Sequence, residues 1–235
     1  MNKEELIKAI KNPSEKVQID VVGQDGYLIR EFENPSEAVK LAAVKQNGLA
    51  ITHIKNPSEK VKLAAVKQDG YAIEYIENPS EEVQLAAVKQ NGHNIKYIKN
   101  PSEEVQLAAV KQNEFAIKCI TNPSETVKLA AVKQDGLVIE YINNPSEKVQ
   151  LAAVKQNRRS IKYIENPSEL VVEYYEKRLK NRQKIRSWDC YDNETIGCKT
   201  HTKEDWIILL PIYKIQYSLT DEELSEIIDY LKLED

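Results

Sequence analysis

The chain of 235 residues is poor in the residues that break or staple a fold, with 7 glycines, 3 cysteines, 2 phenylalanines and 1 methionine. Three cysteines, Cys119, Cys190 and Cys198, are too few and too unevenly placed for a disulfide framework, which fits a reducing compartment. No apolar run approaches the roughly 20 residues that span a bilayer, and the opening Met-Asn-Lys-Glu-Glu lacks the apolar core of a signal peptide. The expectation is a cytoplasmic protein with no membrane partner. Catalytic apparatus is scarce too. There is no Gly-rich phosphate loop, no HExxH and no Ser/His/Asp set, and the three histidines (His53, His93, His201) sit in different contexts. Cys190, Cys198 and His201, with Asp189, Asp192 and Glu204 nearby, lack the paired spacing of a structural zinc site. No metal, no cofactor and no enzymatic activity are expected.

What is abundant is alanine, lysine, glutamate, glutamine and isoleucine, a helix-former's composition. Asn-Pro-Ser-Glu occurs eight times, beginning at Asn12, Asn34, Asn56, Asn78, Asn100, Asn122, Asn144 and Asn166, always 22 residues apart. A fixed period of this length is the mark of stacked repeats, each burying its apolar face against its neighbours. Taking Asn78 to Lys99 as one unit, Asn78 is expected to N-cap a helix with Pro79 at its first position and Glu81 completing a capping box. Val83, Leu85, Ala86, Ala87 and Val88 project nearly all round that helix, so it should be mostly buried. Asn91-Gly92 is expected to stop it in a left-handed turn, and a shorter second helix should turn Ile95 and Ile98 inward. A β reading fails because alternation is absent and proline recurs in every period.

The expected fold is therefore all-α. It is an α-solenoid of about seven helical hairpins over residues 12–165, opened by a half-repeat cap at residues 1–11 (ELIKAIK matches the end of a unit) and closed by residues 166–235. This last segment begins as an eighth repeat and then departs. Trp206 to Tyr217 is a candidate for extended structure, and Thr220 with Glu223 for a capping box ahead of an apolar helix face at Leu224, Ile227, Ile228 and Leu231.

The LAAVKQNG core, as in Leu41 to Gly48, resembles a bacterial and giant-virus repeat family of unknown function with AAVKQNG-type units, and is similar to leucine-rich-repeat-variant and HEAT-like solenoids. The resemblance covers roughly residues 5 to 169. It implies binding of another macromolecule, carries over no catalytic residue, and suggests a phage or viral counter-defence setting.

Positions where the units differ are the candidates for binding. The fifth reads Lys16, Ala38, Lys60, Glu82, Glu104, Thr126, Lys148, beside a constant lysine ladder (Lys45, Lys67, Lys89, Lys111, Lys133, Lys155). The sixteenth reads Tyr27, Leu49, Tyr71, His93, Phe115, Leu137, Arg159 and opens the short helix. Exposed aromatics there would serve as protein contacts; the competing reading is a staple against the neighbouring unit. Residues 1 to 165 carry 23 Lys+Arg against 22 Asp+Glu, a poor balance for a nucleic-acid groove. Residues 158 to 186 hold nine basic side chains, among them Arg158, Arg159, Lys162, Arg178 and Arg182, against four acids. The remainder is acidic. The leading expectation is a protein-binding scaffold that regulates or inhibits a target protein, using Tyr27, Tyr71, His93, Phe115, Arg158, Arg159, Lys162, Arg178 and Arg182. The alternative is nucleic-acid binding through the basic segment.

Overall fold

The computed structural model describes residues 13–178 and, beyond them, residue 225 alone. The expected half-repeat cap, the extended run, the last capping box, Arg182, and the Cys190, Cys198 and His201 group lie outside the described residues. Among the described residues up to Tyr163, seven α-helices alternate with seven 3-10 helices: α1 (Glu15–Gln24), η1 (Gly26–Glu31), α2 (Glu37–Gln46), η2 (Gly48–His53), α3 (Glu59–Gln68), η3 (Gly70–Tyr75), α4 (Glu81–Gln90), η4 (Gly92–Tyr97), α5 (Glu103–Gln112), η5 (Glu114–Cys119), α6 (Glu125–Gln134), η6 (Gly136–Tyr141), α7 (Glu147–Gln156) and η7 (Arg158–Tyr163). Residues 169–178 are helical again. Elements pack within their unit and against the units before and after, with no strand among the described residues. This is an α-solenoid with a 22-residue period.

Each long helix starts two residues later than the sequence suggests. Ser80, not Asn78, is the cap of α4, accepting from the Val83 backbone N–H, and the same holds for Ser102 in α5 at 3.3 Å from Val105. Glu81 is then the first helical residue, where a carboxylate complements the helix dipole. It does not reach back into a capping box. It reaches sideways instead: the hydroxyl of Ser102, cap of the next helix, donates to Glu81 at 2.5 Å. Ser124 does the same to Glu103 at 2.5 Å, and Ser36, Ser58 and Ser146 to Glu15, Glu37 and Glu125. The motif is therefore an inter-repeat joint as well as a cap. Asn78 has left the helix altogether, with φ of 47°.

The stop differs as well. Asn91 is extended (φ −149°, ψ 114°), and its side chain accepts from the His93 N–H to open η4, a tighter 3-10 helix rather than a second α-helix. Gly92 is needed for space, not for a left-handed turn. A Cβ there would stand 2.4 Å from the Ala109 carbonyl oxygen of the next unit. Close approach lets Gln112 clamp the joint, accepting from the Gly92 N–H at 2.5 Å and donating to the Gln90 carbonyl at 3.3 Å. Gln46, Gln68, Gln90 and Gln156 likewise accept from Gly26, Gly48, Gly70 and Gly136.

The core is a column of small side chains. Val83, Ala87, Val88 and Ile95 are fully buried, and their counterparts repeat along the stack, while Leu85 and Ala86 pack half-buried at its margin. Asn94 replaces the usual alanine inside η4, and its buried amide donates to the Ala87 carbonyl at 3.1 Å. Ser160, at the same position in η7, buries a hydroxyl with no hydrogen-bond partner.

Candidate protein-interaction surface

The 3-10 helices face outward along one row, and here the units differ. Invariant isoleucines (Ile73, Ile95, Ile117, Ile139) turn inward and are buried, leaving the sixteenth, nineteenth and twentieth positions of the unit to the outer side. The sixteenth series divides. Tyr71 is exposed and Tyr27 half-buried, whereas Leu49 and Phe115 pack against the core, so at those two units the expected outward position is partly a staple. His93 is half-buried, its Nδ1 lying 3.3 Å from Asn113 Nδ2 of the next unit.

The richer series is the twentieth, which the sequence reading passed over: Glu31, His53, Tyr75, Tyr97, Cys119, Tyr141, Tyr163. Tyr75, Tyr141 and Tyr163 are among the exposed large hydrophobic side chains of the described residues, at 47%, 37% and 44%. The two series interlock across units. Tyr71 meets Tyr97 edge-on at 5.3 Å and Tyr75 at 5.9 Å, and Tyr27 meets His53 at 5.6 Å. Lysines of the nineteenth position lie over these rings: Lys96 sits 4.6 Å from the Tyr97 centroid and Lys118 3.7 Å from that of Tyr141, with Phe115 at 5.4 Å. Edge-to-face pairs and cation–π contacts hold the rings in place while leaving Tyr71, Tyr75 and Tyr141 exposed.

The cluster around Tyr71 also has an electrostatic character. The Glu74 carboxylate, with Tyr97 and Tyr75 beyond it, holds the Tyr71 phenol well above the ordinary tyrosine range. Tyr97 pushes the Lys96 ammonium up. On the long-helix side, Lys62 and then Ser80 hold the exposed Glu59 carboxyl below its usual range.

Arg159 and Lys162 are exposed on η7, and Arg158, at the position glycine fills elsewhere, is half-buried. Arg178 stands 22 residues after Gln156, at the clamp position, and donates to the Lys155 carbonyl at 3.3 Å and to Tyr174 at 3.2 Å. It continues the joint between units. The fifth-position residues and the lysine ladder are exposed along the long helices.

Among the described residues no cluster of His, Cys, Asp or Glu is placed to hold a metal, and no helix is long and apolar enough to cross a membrane. No family model, curated protein or solved structure matches this chain.

Proposed function

We propose that this chain is a non-enzymatic, protein-binding solenoid that regulates or inhibits one target, docking it on the 3-10 face through Tyr71, Tyr75, Tyr97 and Tyr141 with Lys96 and Lys118 among them. The observation that carries this reading is the set of exposed tyrosines on the 3-10 face, Tyr71, Tyr75 and Tyr141, with the half-buried Tyr97 ring ordered beside them. Rigid, amphipathic rings already ordered by their neighbours lose little entropy on binding and dominate many interfaces. The AAVKQNG-type resemblance suggests a phage or viral counter-defence setting for that target.

The test is photo-crosslinking from position 75 in a lysate of the source cells, followed by affinity measurement with the captured protein. Tyr75→Ala and Tyr71→Ala should each weaken binding by about 30-fold, close to 2 kcal/mol, while Lys67→Ala and Lys111→Ala on the long helices leave it unchanged. Binding indifferent to the tyrosines overturns the assignment of the face. Recovery of nucleic acid in place of protein, lost on Arg158→Glu with Arg159→Glu, would favour the basic segment instead.

A further inference from the structure

Where each 3-10 helix runs into the Asn-Pro link, three successive open grooves of about 700, 700 and 650 Å3 follow one another along the stack. They are built alike. Each has an isoleucine floor, the asparagine of one link (Asn56, Asn78, Asn100) and, from the next unit, the twentieth-position side chain as a wall (Tyr75, Tyr97, Cys119).

The asparagines are the unexplained part. Their φ values are 49°, 47° and 52°, a left-handed conformation that glycine adopts at no steric cost and asparagine tolerates. All eight links nevertheless carry asparagine. The exposed carboxamides of Asn56, Asn78 and Asn100 make no hydrogen bond to any described residue, although Gln84 and Gln106 beside them are occupied by the Pro79 and Pro101 carbonyls. Each groove thus presents a free acceptor and two free donors, the complement of one peptide unit.

The period fits an extended segment of the polyproline II type. Packed helices stand about 8 to 10 Å apart, and such a chain advances about 3.1 Å per residue with three residues per turn, so every third residue of it faces the same side and meets an equivalent groove. Charge then sets the order. The first groove balances Lys62 against Glu77, the second carries Glu74 and Glu77 against Lys99, and the third carries Lys96 and Lys99 with no acid. We propose that the link-edge grooves bind an extended segment of a partner protein. Asn56, Asn78 and Asn100 pair with its main chain, a basic residue lies over the Glu74–Glu77 groove, and an acidic residue three positions away lies over the Lys96–Lys99 groove. This rests on the protein-binding reading above and names the chemistry of the partner.

The experiment is selection of a displayed library of random 12-residue peptides on the full chain, followed by affinity measurement of the enriched peptides. Enriched sequences should carry a basic and an acidic residue three apart in one fixed order. The Asn56→Gly, Asn78→Gly, Asn100→Gly triple variant, which keeps the backbone its φ and its fold by circular dichroism, should bind them at least about ten-fold more weakly. Lys96→Glu with Lys99→Glu should switch the preference at the acidic position to a basic residue. No enrichment, enrichment without the charge pair, or equal binding by the triple variant overturns the proposal, as does asparagine-dependent binding of a 20-nucleotide single strand. If a folded protein still crosslinks at position 75 while no peptide is enriched, only the extended-segment inference falls; if neither occurs, the protein-binding reading falls with it.

Discussion

From the second unit to the seventh, the end of the long helix reads Leu-Ala-Ala-Val-Lys-Gln without change, whereas the six-residue 3-10 helix keeps only its isoleucine. The contrast follows from how many neighbours each side chain has. In α4, Val83, Ala87 and Val88 are closed in by other elements of the stack, and any change of volume would be felt across a joint. In η4, Ile95 carries the packing while Lys96 is exposed and Tyr97 half-buried. Uniformity marks where the fold is made, and variety marks where packing leaves the side chain free to differ.

That contrast is sharpest within a single 3-10 helix. Ile73→Ala, at a fully buried position, should cost about 3 kcal/mol of stability by the usual cost of emptying a core site. Tyr75→Ala, two residues on and largely exposed, should stay within about 0.5 kcal/mol. Urea denaturation followed by circular dichroism measures both, and equal losses would mean that the tyrosine row is part of the core. A smaller effect is expected at the joints. Gln112→Ala removes the bond to the Gly92 N–H and should cost about 1 to 2 kcal/mol. Gln134→Ala should cost less, because Glu114 stands where glycine would be and Gln134 keeps only its bond to the Val110 carbonyl, the counterpart of the one Gln90 makes to Val66 in addition to accepting from Gly70. A reversed order in the urea midpoints would show that the clamp does not depend on glycine.

The smallest effect is in titration. Because the folded-state pKa of Tyr71 is raised, the neutral phenol is the favoured form, and its contribution is present below the unfolded value of about 10 and lost as pH rises through the folded value. Nothing should change near neutrality. Glu74→Gln removes the largest cause of the shift and should bring one phenol back toward the ordinary range in an ultraviolet absorbance titration. An unchanged titration would place Tyr71 outside the influence of Glu74.

Legibility followed the same division. Eight Asn-Pro-Ser-Glu motifs at one spacing sufficed for the repeat, its length and the inward valines and isoleucines. They did not suffice for the cap, since Asn, Ser and Pro are all helix-start residues. Glu81 decides the matter by pairing with Ser102 of another unit, a partner that lies 21 residues away and enters no local rule. The twentieth-position tyrosines were overlooked for a related reason. Whether the residue two places after an inward isoleucine faces solvent depends on a 3-10 rather than an α turn, and six residues are too few for periodicity to tell three per turn from 3.6. Arg178 read as part of a charge run, although counting 22 from Gln156 places it at the clamp.

By itself, then, the sequence determined the architecture, because a 22-residue period and its buried small residues are properties of the chain that recur in every unit. Only the tertiary structure decided which member of each motif caps, why glycine precedes the 3-10 helix, and that Tyr71, Tyr75 and Tyr97 share one surface. Those outcomes depend on how closely one unit approaches the next, a distance set by packing across the joint and recorded in no single repeat.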